Sequence, residues 1–402
     1  MRNAAIAVAI LVAVTLSIQQ LPLAEKLWRS TEVRDALAID LVAAGVGTPQ
    51  RIWSLSPLAS ERGLWSILPA LSVFLGVLAM RAGRHRRLLL TVVSLTALSL
   101  LLGFLQLGAP QDSILNPFPQ WQPALNGFFS NLNHQASALA VSVVIIASLA
   151  LYDWRRDDQS TVPRWRRVGL ITLGVLLLAS LPLMDSRAAL LIALLGLVAV
   201  PFLLRRSRRD PLISKVKSRV AGASLFVIAL GVVLAAIGWL RLDIAEEARV
   251  SVAQATSVMG LSHAPLGAGL GSFTAWFDQA APSKLIQWEY FNHAHNEYAQ
   301  WWLESGVLAV LAVIGVIAVF VACYPRRSSE TSSSGDHGVG VAAWLGCALI
   351  LLQSLVDYPL RTPGMMTIAS LLAGIVVSQH VSRTVGTGRE KRALPPPVVL
   401  PT

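Results

Sequence analysis

The sequence predicts an all-α, polytopic membrane protein with about ten transmembrane helices, and three observations support this. Of its 402 residues, 54% are hydrophobic and only 14% are charged, and the mean hydropathy is +0.60. The apolar residues form long runs, each near the roughly 20 residues that a helix needs to cross a bilayer. Clusters of arginine separate these runs. The predicted spans are 4–23, 64–80, 88–107, 134–151, 168–184, 187–204, 220–240, 300–323, 339–356 and 364–380.

The distribution of positive charge predicts the orientation of the spans. With a cytoplasmic N-terminus, the inner segments carry 23 of the 33 Lys and Arg residues but only 7 of the 22 Asp and Glu residues. Basic residues favour the cytoplasmic side of a membrane. The net charge of +11 therefore indicates anchoring at the inner leaflet. Nucleic-acid binding is excluded, because the basic residues are not gathered on one face with interleaved aromatic residues.

The first and last segments complete the predicted organisation. Run 4–23 is predicted to be a retained span, since it lacks a convincing cleavage site of a signal peptide. Residues 1–382 form the transmembrane domain, and 383–402 form a disordered cytoplasmic tail. Cys323 and Cys347 fall in predicted spans without metal-ligand spacing, so we interpret them as small buried hydrophobic residues.

Sequence complexity is concentrated in the predicted outer segments. Only Asp185-Ser186 separates spans five and six, which predicts a tight outer turn. The large outer loop between spans seven and eight, 241–299, is too long to be a simple connection. Residues 241–259 have apolar positions at helical spacing and predict an amphipathic surface helix. The Gly-rich strip that follows, 263–273, is predicted to be a tight turn, because no βαβ unit surrounds it to support dinucleotide binding.

The most informative segment lies where this loop enters span eight. Residues 293–306 contain two histidines, two amides, two carboxylates and three aromatic side chains. Polar groups are costly at the edge of the hydrocarbon, so chemistry explains them better than packing. His295-Asn296, nine residues and then Gly306 resemble the motif of the bacterial O-antigen ligase family. The family usually adds Gly, Thr or Tyr three positions later, where this chain has Ala309.

Further segments resemble landmarks of the same superfamily, in the same order along the chain. They are 54–59, 129–134, Asp185-Ser186-Arg187, Arg249, 265–273 and 355–359. The resemblance implies a metal-independent glycosyltransferase without a cofactor, in the bacterial inner membrane. It would move a glycan from undecaprenyl diphosphate to an acceptor hydroxyl on the periplasmic face. Lipid A-core is the acceptor of the ligases in lipopolysaccharide biosynthesis, and a second lipid-linked glycan is the acceptor of the polymerases, which remain the alternative.

Three residues are the predicted catalytic groups of such a reaction. His295 is the candidate general base, because an imidazole accepts a proton near neutral pH; it would equally serve to position the acceptor. Arg187 begins span six, where a guanidinium and free helix N–H groups bind a phosphate together. Arg249, on the surface helix, is expected to bind the second phosphate. An interfacial position in contact with lipid headgroups is the alternative for both arginines.

Other polar residues are predicted to bind substrate, each with a structural alternative. Asn133 and His134 either bind the donor or cap span four, and His293 is the second histidine of the loop. Tyr298 either stacks on a sugar or belongs to the aromatic belt at the interface. Glu297 and Glu304 compete with His295 as the base, although an ion pair with an outer Arg is the favoured interpretation for Glu304, as it is for Asp357. Asn296 completes the predicted binding residues.

No metal site is predicted, because neither His293 nor His295 has the spacing of a zinc-binding helix. A lipid-linked glycan transporter is a further alternative of a different class. A transporter predicts ionisable residues at the midpoints of spans, whereas here they cluster at outer ends.

Overall fold

A computed structural model describes residues 1–46, 51–117, 124–154, 163–184, 186–204, 244–285, 291–325 and 337–393. Within these ranges the chain forms helices joined by turns, and no strand occurs. The fold is all-α, as the sequence predicts. The α-helices in chain order are α1 (Arg2–Ser17), α2 (Glu25–Trp28), α3 (Glu32–Ala43), α4 (Pro57–Ser66), α5 (Leu68–Ala79), α6 (His85–Leu107), α7 (Leu132–Trp154), α8 (Arg164–Ser180), α9 (Arg187–Leu203), α10 (Ile244–Ser262), α11 (Phe273–Ala280), α12 (Glu297–Ala322), α13 (His337–Gln353) and α14 (Pro363–Ala393).

Apolar helices account for nine of the ten predicted spans. Seven helical segments are long and apolar enough to cross a membrane: Arg2–Gln20, Pro57–Ala79, Ala82–Leu107, Leu132–Trp154, Arg164–Met184, Glu297–Ala322 and Pro363–Ser382. Two shorter apolar helices, Arg187–Leu203 and His337–Gln353, match two further predictions. The tenth predicted span, 220–240, and the basic segment 205–219 lie outside the described residues. The protein is a multi-pass membrane protein.

Helix α7 is the centre of the bundle. In its most apolar window 83% of the residues are buried, against 39% or less for the other long spans. It packs against α6, α8, α9 and α13. Buried alanines on several sides of the helix, among them Ala136, Ala138 and Ala140, let these neighbours approach closely. A helix that is apolar on all sides belongs inside a bundle, and this one positions its N-terminal residues beneath the loop before α12.

The predicted outer loop forms a second, smaller core against α12. Helix α10 packs along α12 and buries Val252 and Met259 together with Phe273, Phe277 and Leu303. Its opposite side leaves Val250, Val258 and Leu261 exposed. The helix predicted at 241–259 is confirmed within the described residues, which begin at Ile244 here.

The structure describes the turn between α8 and α9 and part of the C-terminal segment. The turn after span five is tight as predicted, because a 3₁₀ segment, Leu181–Met184, leads almost directly into α9. Ser186 occupies the N-cap position of α9, but its side chain makes no capping hydrogen bond, and Asp185 lies outside the described residues.

Helix α14 continues to Ala393 and so includes 383–393 of the segment that was predicted to be disordered. Residues 394–402 are outside the described ranges.

Candidate functional site

The loop before α12 is fixed to the end of α13 by the motif residues. Asn296 is the N-cap of α12, and its side-chain oxygen accepts a hydrogen bond of 3.0 Å from the backbone N–H of Ala299. Its amide nitrogen donates to the carbonyl of Leu355, at 2.9 Å. The backbone N–H of Glu297 donates to the carbonyl of Ser354, also at 2.9 Å. Asn296 therefore orients the loop, and its binding of substrate stays a prediction.

His295 is held in an unusual backbone conformation beside a carboxylate. Its φ of 51° is in the left-handed region, which a residue other than glycine rarely adopts. The Nδ1 atom lies 3.5 Å from Oδ1 of Asp357, whose side chain is 1% exposed. The His295 side chain is 14% exposed. Because Nδ1 is among the buried atoms and Nε2 is not, Nε2 is the ring nitrogen that faces accessible space.

Asp357 is an ionised partner for this histidine. Burial alone would raise the pKa of Asp357, but the contact with His295 and the charges of His134 and His295 lower it below its ordinary value. The backbone N–H of Tyr358 also donates to Oδ1, at 2.9 Å. A carboxylate beside Nδ1 of a histidine fixes the ring so that Nε2 is free to accept a proton.

Tyr358 brings three imidazole rings together. Its ring centroid lies 4.1 to 5.0 Å from the centroids of His134, His293 and His295. Its hydroxyl accepts a hydrogen bond of 2.9 Å from the side chain of Asn131 and is 3.5 Å from Oδ1 of Asn292. We call these three histidines with Asp357 and Tyr358 the histidine cluster. The structure therefore joins residues from the start of α7, the loop before α12 and the turn after α13.

His293 is a neutral member of the histidine cluster. Burial, the charge of Arg361 and the charge of His295 lower the pKa of His293 to about 3. Its Nδ1 is 3.2 Å from the side-chain nitrogen of Gln300, whose oxygen accepts from the backbone N–H of Ala294 at 3.0 Å. Packing and neighbouring bonds thus hold His293 in the wall of the site.

A separate group of charges, which we call the ion cluster, lies next to the histidine cluster. Arg361 donates to Oε2 of Glu297 at 3.1 Å and to Oε2 of Glu304 at 2.6 Å. Gln300 donates to the other oxygen of Glu304, at 2.9 Å. Glu304 is 0% exposed, so it is not open to substrate in this structure. The ion pair with an arginine that the sequence predicts for Glu304 is confirmed, and the same arginine binds Glu297 as well. The similar pair predicted for Asp357 is wrong, because Asp357 lies beside His295 instead.

The last residue of the motif, Gly306, breaks the regular course of α12. Its φ of 54° and ψ of −136° lie in a region that is nearly exclusive to glycine. A Cβ at this position would collide with the carbonyl oxygen of Pro265. Ala268 and Gly269 donate to the carbonyls of Leu303 and Glu304, at 2.8 and 2.9 Å, so the Gly-rich strip binds the kink directly. The predicted tight turn is therefore also a structural partner of α12.

The two predicted phosphate-binding arginines lie near this end of the bundle. Arg249 is half-buried on α10. Burial and the charge of Asp357 raise the pKa of Tyr358, and the positive charge of Arg249 acts in the opposite direction. Arg187 is the first residue of α9. Gly196, nine residues later, faces Val144 of α7. Helices α7 and α9 run in the same direction, and each advances by about 1.5 Å per residue. Nine residues before the contact of Gly196 with Val144, Arg187 is therefore level with the start of α7.

The remaining predicted binding residues have different surroundings. The hydroxyl of Tyr298 donates to the carbonyl of Leu351 at 2.8 Å, so it helps to join α12 to α13. The cap of α7 is supplied by Asn131, which accepts from the backbone N–H of Asn133 at 2.8 Å. Asn133 is partly exposed and remains a predicted binding residue, whereas His134 is fully buried.

Sequence reasoning missed the central position of Tyr358 and the partnership of His295 with Asp357. The segment 355–359 was recognisable as a polar interruption between two apolar runs, but nothing in its spacing indicates which loop it meets. Among the described residues, no group of three His, Cys, Asp or Glu side chains is placed to hold a metal ion.

The architecture and the polar residues together define a class: a multi-pass helical membrane protein with buried histidines, carboxylates and an arginine gathered at one end of its bundle. Residues 173–314 match a family model described as O-antigen ligase. This match confirms the predicted relationship to the O-antigen ligase superfamily, whose members are glycosyltransferase-like enzymes. It covers Arg187, Arg249 and the loop motif. No curated protein matches the chain.

Proposed function

We propose that the protein transfers a glycan from undecaprenyl diphosphate to an acceptor hydroxyl at the periplasmic face of the inner membrane. Ligation of O-antigen to lipid A-core is the reaction that we favour. The arrangement of His295 and Asp357, with Nε2 of His295 left accessible, carries this proposal. The family match to residues 173–314 supports the substrate class.

The proposed step balances as a single displacement. The acceptor oxygen forms a bond to the anomeric carbon of the donor glycan, and its proton moves to Nε2 of His295. The bond from the anomeric carbon to the diphosphate breaks, and the electron pair leaves with the diphosphate. Asp357 stabilises the imidazolium that forms, while Arg187 and Arg249 offset the charge on the leaving group.

An apolar cavity supports a lipid-linked substrate. A space of about 450 Å³ lies between α1, α4, α5, α12, α13 and α14. Its lining includes Leu360 and Arg361, and Arg361 belongs to the ion cluster. A chain in this cavity would have its polar end close to the loop before α12. The site thus combines polar chemistry with access from the hydrocarbon, which a transferase of lipid-linked glycans requires.

A polymerase is the second candidate, and Ala309 is the observation that favours it. The ligase motif usually has Gly, Thr or Tyr at this position, whereas Ala309 is an apolar residue buried in α12. Ligase and polymerase share the donor chemistry and differ in the acceptor.

The test is a transfer assay with the full-length protein in lipid nanodiscs. The substrates are a purified undecaprenyl-diphosphate glycan and, in separate reactions, lipid A-core or a second lipid-linked glycan. We expect transfer to lipid A-core, and we expect His295→Ala and Arg187→Ala to lower it by roughly 10²- to 10⁴-fold without loss of the folded protein. Transfer only to the second glycan would identify a polymerase. Full activity of both variants would refute the assigned site.

A further inference from the structure

His134 has no role as a helix cap and none as an ion-pair partner, although it lies in the first turn of α7. It is completely buried, and neither of its ring nitrogens has a hydrogen-bond partner within the part of the chain that the structure describes. Capping is already supplied by the side chain of Asn131. A buried imidazole without hydrogen bonds destabilises a folded protein, so its presence calls for a functional reason.

Asp357 has a buried oxygen that lacks a hydrogen-bond donor, whereas His134 has ring nitrogens that lack a partner. Its Oδ1 atom receives the backbone N–H of Tyr358 at 2.9 Å and lies 3.5 Å from Nδ1 of His295. Its Oδ2 atom is buried and has no hydrogen-bond partner among the described residues. Oδ1 of Asp357 therefore interacts with Tyr358 and His295, whereas Oδ2 can still accept a hydrogen bond.

These two groups are neighbours in the histidine cluster. The ring of His134 meets the ring of Tyr358 edge-on at 5.0 Å, as the ring of His295 does at the same distance. The charge of Asp357 acts on His134, and a charge on His134 acts in turn on Asp357. Asp357 thus interacts electrostatically with two imidazoles, of which His295 is partly exposed and His134 is buried.

We propose that a rotation of the His134 ring lets it donate a hydrogen bond to Oδ2 of Asp357, so that His134 is a positioning residue that fixes the carboxylate that orients His295. This inference rests on the proposed function. His134 exchanges no proton in the step: the proton of the acceptor hydroxyl moves to Nε2 of His295, and Asp357 remains a carboxylate. Complete burial keeps His134 from substrate, so this role replaces the one predicted from the sequence.

The pH dependence of the reaction provides the first test, because Asp357 controls the imidazolium of His295. The titratable or charged groups around this pair are His134 from α7, Arg249 from α10, and, from the two loops, His293, Tyr358 and Arg361. In His134→Leu we expect kcat to fall about 10- to 100-fold, as for a misplaced acid–base group. We expect unchanged KM values for donor and acceptor, and an acidic limb of the kcat profile that moves to lower pH.

Two further variants separate positioning from a general loss of packing. His134→Gln keeps a donor group and is expected to recover part of kcat and the original acidic limb. Gln135→Leu is the matched control, because Gln135 is the next residue of α7, is also fully buried and accepts a hydrogen bond from Ser99 at 2.8 Å. It is expected to lower thermal stability without moving the acidic limb. A raised KM in His134→Leu, or an unmoved limb, would overturn the proposal.

The second test is independent of activity and therefore of the proposed function. Thermal unfolding in nanodiscs is measured for the wild type, His134→Leu, Asp357→Asn and the double variant. If His134 pairs with Asp357, the double variant unfolds near the temperature of the less stable single variant. Additive losses would reject the pairing, even if the transfer reaction is confirmed. Non-additive losses in a protein without transfer activity would support the pairing and reject the proposed function alone.

Discussion

The histidine cluster and the ion cluster lie side by side, yet their polar groups are used in opposite ways. Both contain carboxylates and nitrogen bases from the start of α12 and the turn after α13. In the ion cluster, Arg361 binds two carboxylates, and Glu304 is 0% exposed. In the histidine cluster, one ring nitrogen of His295 stays accessible. The two clusters therefore differ in access rather than in residue type, and under the proposed function it is access that makes His295 the reactive group.

The largest effect is expected from removing the negative charge beside His295. Asp357→Asn leaves His295 without a partner for its imidazolium, so kcat should fall by roughly 10³- to 10⁴-fold. The comparison variant is Glu304→Gln, which alters a carboxylate of the ion cluster and should act mainly on stability. Transfer rates and unfolding temperatures of both variants provide the measurement. An equal loss of kcat in both would remove the distinction between the clusters.

The next effect concerns the ion cluster alone. Arg361→Met leaves Glu297 and Glu304 buried without their shared partner, which costs about 3–5 kcal/mol of unfolding free energy. Denaturation in mild detergent measures this loss. Arg29→Met is the control, because the pair of Arg29 with Asp35 is largely exposed and should contribute little. The triple variant that combines Arg361→Met with Glu297→Gln and Glu304→Gln removes the unpaired charges as well. If it is no more stable than Arg361→Met, unpaired charge does not cause the loss of stability.

A third prediction concerns the glycine that separates the start of α12 from its membrane segment. Gly306→Ala adds a Cβ against Pro265 and forces an unfavourable φ, so it should destabilise the protein by about 1–3 kcal/mol and reduce transfer. Gly76→Ala is a matched control, since a Cβ there meets no atom within 4 Å. Equal stability of the two variants in thermal unfolding would show that the kink is not required.

The smallest effect is a pH dependence of stability that comes from His293. Its pKa of about 3 in the folded protein lies below the ordinary value of 6.5. As the pH falls below 6.5, the unfolded chain binds a proton that the folded protein does not, so stability decreases until about pH 3. The slope is at most about 1.4 kcal/mol per pH unit. Unfolding between pH 7 and 5 should be less pH-dependent in His293→Gln, and identical slopes would contradict this assignment.

The sequence predicted the helical membrane fold because runs of apolar residues determine helices in a bilayer directly. It also predicted the ion pair of Glu304, since a polar group near a span stands out locally. It did not predict that Tyr358 gathers three histidines, because those contacts join residues that are between 63 and 224 positions apart in the chain. Nor did it predict that Asn296 and Gly306 act on the backbone. An asparagine suggests substrate binding and a glycine suggests flexibility. Only the structure shows that Asn296 is a helix cap and that Gly306 lies at a kink.

The fixed separation of Asn296 from Gly306 has a consequence for how the chain tolerates change. The N-cap is tied to Leu355 and the kink is tied to Pro265 and the residues after it, so the intervening turns are clamped at both ends. Inserting one residue would rotate one end by about 100° and displace it by about 1.5 Å. The two anchors then cannot both meet their partners. The spacing of nine residues is thus a rotational register, which aims His295 at Asp357.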